Sequence, residues 1–376
     1  MQPAQPAPIR QVRYIMGTEC ASTVYPADGT PQARQTAEAA IKAAFDELKR
    51  IDQLLSNWKA DSELMHLNRA ASAVSTTSGE RPWVKVSAEL FERVQVALLV
   101  SRNTGGRFDP TVGPLVRAWG FLPECPPGTE CNASPATSIA EKVKTAKDKV
   151  GWEKVKLDEA SHSIQFAVPG MEIDLGGIAK GYAAGRAARV LWEQDVRSAL
   201  VDLGNSSMSA IGTPPMAGNC EARESCATGW PIAIRDPRNR ASAAAAFYLR
   251  DGESLATSST YEHTQGSGSG KRSHIIDPRS GEALAGDRSV TVILRDAELA
   301  DALTKPFLLL RSTTNAQATG IRAAYPEAGV ILLTPKGGGL ETTIAGPLPY
   351  RFRSELAEVK QNTRSGQKHL SCCKKE

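Results

Sequence analysis

The order of the predicted elements indicates an α+β fold. Short segments rich in β-branched residues recur between residues 198 and 295, with loops of Pro, Gly, Asn and Ser between them. Apolar residues recur at helical spacing elsewhere, most clearly over residues 32–57. Runs of strands with interspersed helices, without strict alternation of the two, are typical of α+β proteins.

The N-terminal third is predicted to hold one strand and then three helices. The strand spans residues 10–26, and a long amphipathic helix follows over residues 32–57. Asp61-Ser62-Glu63-Leu64 opens a short second helix, because Asp or Ser can cap its first turn. A third helix spans residues 87–103 and ends at Asn103-Thr104-Gly105-Gly106.

The rest of the chain is predicted to be strand-rich, with helices between the strands. The predicted strands are 153–158 and 162–168, which form a hairpin, then a short strand that starts at Glu172 and ends in a carboxylate, and then 198–203, 207–211, 230–235, 244–250, 289–295 and 329–333. The predicted helices are 138–150, 178–195, 296–304, which stops at Pro306, and 313–325.

One folded unit is expected over residues 10–352, because no clear linker divides the chain of 376 residues. Residues 1–9 are predicted to be a disordered tether and residues 353–376 a C-terminal tail. Residues 120–137 are rich in Pro, Gly and Cys and are predicted to form a surface insertion loop.

Charge and hydropathy exclude two classes of partner. The formal net charge is 45 − 41 = +4, too small to indicate nucleic-acid binding, and no apolar run is long enough to span a bilayer. Residues 2–8 have no apolar signal core but resemble the tether that follows a removed signal or lipid anchor. A periplasmic or exported protein is therefore expected, although a cytoplasmic protein with a loose N-terminus fits almost as well.

Four cysteines form two closely spaced pairs within irregular loops. Cys125 and Cys131 flank one loop, and Cys220 and Cys226 flank another. Two local disulfides are favoured over four free thiols, and disulfides indicate an oxidising compartment.

The residues from Glu172 to Tyr182 suggest an anion site. They read as a strand that ends in a carboxylate, a turn at Gly176-Gly177, and a helix that opens with Lys180. Glycines let a backbone approach a ligand closely, and a helix N-terminus beside an ammonium attracts phosphate. The alternative is a structural turn without a ligand.

Two further groups carry possible chemistry. His274 is predicted to begin a strand after a glycine-rich turn, where it can act as a general base or simply hydrogen bond to the end of that strand. Asp301 and Thr304 lie on one helical face and offer oxygen ligands that suit Mg²⁺, unless they are a surface pair without a ligand.

Taken together, these motifs resemble the ApbE family of flavin transferases over roughly residues 12–348. The matching motifs are, in order, Met16-Gly17-Thr18; Ser56-Asn57-Trp58 with Asp61-Ser62-Glu63-Leu64 and Asn68; Phe108-Asp109-Pro110-Thr111-Val112-Gly113-Pro114-Leu115 with Trp119-Gly120-Phe121; Asp174-Leu175-Gly176-Gly177-Ile178-Ala179-Lys180-Gly181-Tyr182; Ala199-Leu200-Val201-Asp202-Leu203-Gly204; His274-Ile275-Ile276-Asp277-Pro278 with Gly281; and Ala300-Asp301-Ala302-Leu303.

The resemblance implies a single catalytic unit of mixed, largely antiparallel strands with packed helices. It also implies an enzyme that binds FAD and Mg²⁺, transfers FMN to a Thr or Ser hydroxyl of an acceptor protein, and releases AMP. By the same resemblance, Asp301, the Thr304 hydroxyl and the carbonyl of Ala179 would hold the metal, and His274 would be the base. The flavin nucleotide would be bound by Met16, Asp109, Gly176, Gly177, Lys180, Ser258, Tyr261 and His274.

The chain departs from the family pattern in the metal helix. The family places a Thr four residues after the Asp, where this chain has Lys305 followed by Pro306. Proline disfavours helical geometry at the residue before it. Three outcomes are open: the Lys305 ammonium takes the metal's place, Thr304 rotates in as a ligand, or Lys305 and Asp301 form an ordinary surface pair.

Other motif positions differ as well. Asn205 and Ser259 replace family glycines, and Gly185 replaces an acidic residue. Three functions therefore stay open: an active transferase, a non-catalytic FAD-binding homologue with a decayed metal site, and a pyrophosphatase that converts FAD to FMN and AMP.

Overall fold

The structure, a computed structural model, describes residues 6–72, 81–125, 127, 138–215, 229–347 and 353–354. Residues 126 and 128–137 of the predicted surface loop, the first residues of the tether and nearly all of the tail lie outside these ranges. Ile9, which the prediction assigned to the tether, begins the first strand and is buried.

The strands in chain order are β1 Ile9–Ile15, β2 Thr18–Val24, β3 Val84–Lys85, β4 Val155–Asp158, β5 Ser163–Phe166, β6 Ala199–Leu203, β7 Ser207–Ile211, β8 Trp230–Asp236, β9 Asn239–Leu249, β10 Ser254–Ser259, β11 Thr264–Gln265, β12 Arg272–Ser273, β13 Ser289–Leu294, β14 Gly329–Lys336, β15 Gly339–Ala345 and β16 Arg353–Ser354. The helices are α1 Pro31–Leu55, α2 Glu63–Ser72, α3 Ala88–Asn103, α4 Gly113–Ala118, α5 Ile139–Lys147, α6 Ala179–Glu193, α7 Ala297–Leu310 and α8 Ala316–Ala324.

An eight-stranded sheet forms the centre of the described part of the chain. Its order is β1-β2-β6-β7-β10-β13-β14-β15, and every neighbouring pair is antiparallel. Smaller sheets are formed by β3-β5-β4, by β16-β9-β8 and by β11-β12. The α+β prediction is confirmed, and so is the predicted hairpin of β4 and β5.

Helices α1, α6 and α7 pack together and against the central sheet. Helix α1 begins where the Thr30 side chain accepts a hydrogen bond from Ala33 N at 3.1 Å, and Pro31 suits its first turn. The buried stripe of α1 runs from Ala37 to Leu55 at helical spacing, as the sequence predicts.

Helices α6 and α7 approach each other unusually closely because position 181 is a glycine. A Cβ added to Gly181 would lie 2.1 Å from Ala297 O and 2.7 Å from Asp301 Cβ. No other residue type fits at this crossing without moving a backbone. The glycine therefore brings the N-terminus of α6 against the middle of α7.

Three predicted boundaries are wrong. The strand over 10–26 is a hairpin, because Met16 and Gly17 take left-handed φ angles of 54° and 71° and reverse the chain between β1 and β2. The short strand predicted from Glu172 to the Asp174 carboxylate is absent, because Asn68 of α2 and the Pro110 carbonyl pair with Ile173 and Asp174 in place of a neighbouring strand.

The third wrong boundary is in α7, which runs through Pro306 to Leu310. Proline removes one amide donor, but Phe307 and Leu308 beyond it are fully buried. Burial of these two side chains offsets the lost hydrogen bond and keeps Lys305 helical.

Among the described residues, none of the helices is both long and apolar enough to cross a membrane.

Candidate functional site

The glycine turn before α6 is fixed from two sides. The Asn68 side chain donates to Ile173 O at 2.9 Å and accepts from Ile173 N at 2.8 Å. Asp174 N donates to Pro110 O at 2.6 Å. The segment is therefore held in an extended form by side-chain and loop contacts, and it delivers Gly176 and Gly177 to the start of α6.

Asp174 closes the turn. Its Oδ1 accepts a hydrogen bond from Gly176 N at 2.7 Å, and burial raises the pKa of its carboxyl group. Gly177 leaves little space beneath the turn, since a Cβ there would lie 3.1 Å from Phe108 Cε2 and 3.4 Å from Lys305 Cε. The turn therefore rests directly on the Lys305 side chain of α7.

Helix α6 has no acidic residue in its first turn and no side-chain cap at Ile178. Its anionic partner comes from α7, because Gly181 N donates to Asp301 Oδ2 at 3.0 Å. A carboxylate at this end of a helix stabilises the exposed amides and the helix dipole. The close crossing at Gly181 is what allows this contact.

Lys305 lies one helical turn after Asp301 and pairs with it. Its Nζ forms an ion pair with Asp301 Oδ1 and donates to Asp301 O at 2.9 Å. The two side chains are only 15% and 5% exposed, so the pair is not a surface pair. Burial lowers the pKa of Lys305, while the Asp301 carboxylate opposes that shift.

The Thr304 hydroxyl points back along the helix. It donates to Asp301 O at 2.7 Å, and it lies 2.6 Å from the Ser258 hydroxyl of β10. Because the Thr304 hydroxyl already donates its proton to Asp301 O, it accepts a hydrogen bond from the Ser258 hydroxyl. This arrangement ties α7 to the central sheet.

Two of the residues that the family resemblance assigns to Mg²⁺, Asp301 and Thr304, do not fit a divalent cation as they are arranged here. Asp301 Oδ1 and the Asp301 carbonyl both contact the Lys305 ammonium, and Oδ2 accepts from Gly181. The Thr304 hydroxyl is committed to a carbonyl and to Ser258. Within the described ranges, no cluster of three or more His, Cys, Asp or Glu residues is placed to hold a metal.

His274 follows β12 directly; it does not begin a strand. Its Nδ1 lies 3.2 Å from Glu262 O, and its ring meets His263 edge-on at 5.3 Å. A carbonyl can only accept, so Nδ1 carries the proton and Nε2 offers its lone pair. Burial lowers the pKa of His274 to about 4, and His263, Lys180 and Lys305 add to that shift.

Tyr261 and Met16 lie at strand ends. Tyr261 is buried just after β10, and the Arg240 guanidinium covers its ring at 5.0 Å. Met16 is half-buried in the β1–β2 turn.

Asp109 supports its own loop. Its Oδ1 accepts from Thr111 N at 2.8 Å, and its Oδ2 accepts from Trp152 N at 3.0 Å. Burial raises the pKa of this carboxyl group. Asp109 therefore holds the adjacent Phe108 under the glycine turn.

Three residues near the site had no predicted role: Asn68, His263 and Arg240. Asn68 appears among the family motifs, but its bond to Ile173 joins residues far apart in the chain. Arg240 lies near the start of β9 and contacts the ring of Tyr261. No local sequence pattern indicates this contact. Asn205 takes a left-handed φ of 56°, so the β6–β7 turn keeps its glycine-like form.

The chain is similar to known proteins of one family. The model of the ApbE family matches residues 16–323. A protein of Klebsiella pneumoniae named FAD:protein FMN transferase is 31% identical over 277 residues, which cover 73% of this chain and 72% of the relative. A protein of Salmonella typhimurium with the same name is 31% identical over 317 residues, 82% of this chain and 81% of the relative.

The fold agrees as well. The crystal structure of the ApbE protein from Thermotoga maritima superposes with a TM-score of 0.69 at 27% identity, over 89% of this chain and 96% of that one. Because the family model matches residues 16–323, which is most of the chain, this protein belongs to the ApbE family.

Proposed function

We propose that this protein is an FAD:protein FMN transferase. It would transfer FMN from FAD to a Thr or Ser hydroxyl of an acceptor protein and release AMP. The supporting observation is that the glycine turn at the start of α6 lies against the Lys305 side chain, with Lys180 on the first turn of α6 and His274 close enough to respond to both lysines. The names of the relatives support the same activity.

The proposed reaction is a displacement at phosphorus. The acceptor hydroxyl oxygen bonds to the phosphorus of the FMN half, and the bond from that phosphorus to the bridging oxygen breaks. The bridging oxygen leaves with AMP, and the hydroxyl proton passes to His274 Nε2. Positioning and charge neutralisation provide most of the catalysis in such reactions.

Each group has a defined part in this proposal. The α6 amides and the Lys180 and Lys305 ammonium groups neutralise the pyrophosphate. With its pKa lowered to about 4, His274 is neutral at physiological pH, so its Nε2 has a free lone pair that can accept a proton. Tyr261, Met16 and Ser258 would help to bind the flavin part of FAD. No step passes through a metal.

The test is incubation of the purified protein with FAD and a candidate acceptor domain. Covalent flavin fluorescence on the denatured acceptor, with equal AMP release, would support transfer. AMP and FMN without labelled acceptor would instead indicate hydrolysis of FAD by water. Bound FAD with neither product would indicate a non-catalytic homologue.

The variant His274→Ala distinguishes a role of His274 as the general base from a role in FAD binding. We expect acceptor labelling to fall by roughly a hundredfold or more, the usual contribution of a general base, while FAD binding changes little. The matched control is His66→Ala, because His66 is exposed on α2. Labelling by His274→Ala at the wild-type rate would exclude His274 as the base.

We also propose a periplasmic or exported location, with a lipid anchor in the precursor as one route. Cys125 is disulfide-bonded, and disulfides persist in oxidising compartments. Cys131, Cys220 and Cys226 lie outside the described residues, so the two predicted pairings stay predictions. Fractionation of cells that express the natural precursor tests the location.

A further inference from the structure

The Asp301–Lys305 pair occupies the position where a bound cation would be expected. Asp301 presents two oxygens on the side that faces Lys305, its carboxylate Oδ1 and its backbone carbonyl. Both contact the same Nζ. A hard cation held by a carboxylate and a carbonyl is a common arrangement, and here the ammonium supplies the charge.

The pair is fixed in place by its surroundings. Helix α7 continues through Pro306, so Lys305 stays on the same helical face as Asp301. The aliphatic part of Lys305 packs under Gly177, and Gly181 N holds the second carboxylate oxygen. Because the ammonium has little exposed surface, it cannot swing into solvent without opening this packing.

The ammonium also lies next to the place where phosphate would bind. Gly176 and Gly177 have no side chains to separate a ligand from the groups beneath them. An anion at the first turn of α6 would meet helix amides, Lys180 and Lys305 together. A divalent cation at Asp301 would have to displace Nζ from both oxygens and would then be repelled by it.

We propose that Lys305 replaces a divalent cation at Asp301, and that this protein binds and uses FAD without a divalent metal. Metal-independent use of FAD rests on the proposed transferase function, whereas metal-independent binding of FAD does not. The FAD-binding and ion-binding measurements below therefore test the inference even where no transfer is detected.

The first measurement is the affinity for FAD, determined from the quenching of flavin fluorescence in EDTA and, separately, in excess MgCl₂. Wild-type affinity should be the same in both. Lys305→Met removes the charge but keeps the length of the side chain, and in EDTA it should weaken FAD binding by about tenfold or more, as expected for loss of a charged hydrogen bond. Unchanged affinity of Lys305→Met in EDTA would overturn the proposal.

The second measurement is direct binding of Mn²⁺, counted by electron paramagnetic resonance in ligand-free protein. The wild-type chain should show no tight ion that depends on Asp301. Lys305→Thr removes the ammonium and places a hydroxyl one turn after Asp301, so it should gain one Mn²⁺ site that Asp301→Asn abolishes. A wild-type Mn²⁺ site that Asp301→Asn removes would contradict the inference.

Two controls isolate the charge from folding. Lys305→Met leaves the Asp301 carboxylate buried and unpaired, which destabilises the protein. The double variant Asp301→Asn/Lys305→Met removes both charges and so avoids this destabilisation. It too should bind FAD more weakly than wild type in EDTA. Lys42→Met removes an exposed lysine that pairs with Asp46 at the same helical spacing, and it should leave FAD binding unchanged.

Discussion

At the scale of single residues, the site combines unusual protonation states with backbone contacts made by side chains. His274 is held neutral by burial and by the adjacent His263. Asn68 replaces the hydrogen bonds that a neighbouring strand would give Ile173. Both effects depend on long-range contacts, so neither follows from the local sequence.

His274 should make stability depend on pH. Its pKa is lowered from 6.5 to about 4, so the unfolded chain binds a proton in this interval that the native chain does not. Stability therefore falls as pH drops from 6.5 towards 4, by up to about 3 kcal/mol. In urea unfolding at several pH values, His274→Gln should lose this part of the slope, and exposed His66→Gln should keep it. Parallel slopes for wild type and His274→Gln would contradict the assignment.

Asn68→Ala should destabilise the protein by about 2–4 kcal/mol, because two buried backbone groups of Ile173 lose their partners. FAD affinity should fall as well, since the glycine turn loses its support. Asn103→Ala is a matched control that removes one hydrogen bond, to Tyr325 OH at 3.1 Å. A loss no larger than that of the control would show that Asn68 does not hold the turn.

At the scale of elements, the crossing of α6 and α7 determines the site. The sequence predicts both helices, but it does not show how closely they approach. The approach depends on Gly181, whose spacing in the glycine-rich run looks like part of the ligand turn. Its surroundings in the structure show that it serves helix packing.

Gly181→Ala should lower stability by about 1–3 kcal/mol or more, because the added methyl meets the Ala297 carbonyl. It should also weaken FAD binding by separating α6 from Asp301. Gly320→Ala is the control, since Gly320 is an exposed position of α8 with nothing within 4 Å of an added Cβ. It should stabilise by about 0.5–1 kcal/mol in thermal or urea unfolding. Similar effects of the two variants would rule out the close crossing.

At the scale of the whole molecule, the fold class and most elements follow from apolar periodicity and turn residues. The sequence also places Lys305 within reach of Asp301, because residues four apart share a helical face. It does not show that the pair is buried or that Thr304 is turned towards Ser258. Those facts depend on how the sheet and helices pack, as do the hairpin at Met16 and the continuation of α7 beyond Pro306.

The disulfide at Cys125 can be tested by alkylation of the unfolded protein. In protein that is unfolded without reductant, Cys125 should resist alkylation, while Cys20, a free and buried thiol in the native state, should react. Peptide mapping by mass spectrometry checks both positions. Complete alkylation of Cys125, Cys131, Cys220 and Cys226 would exclude the predicted disulfides.

The contact between Lys305 and Asp301 has a physiological consequence. A charge that is covalently part of a helix has a local concentration fixed by the polypeptide, so neither dilution nor a chelator can remove it. If the ammonium takes the place of a recruited cation, as we propose, the proposed flavin attachment should proceed at the same rate in magnesium-starved and magnesium-replete cells. Growth of the producing organism under the two regimes, with flavinylated acceptor measured by in-gel fluorescence, would reveal that independence.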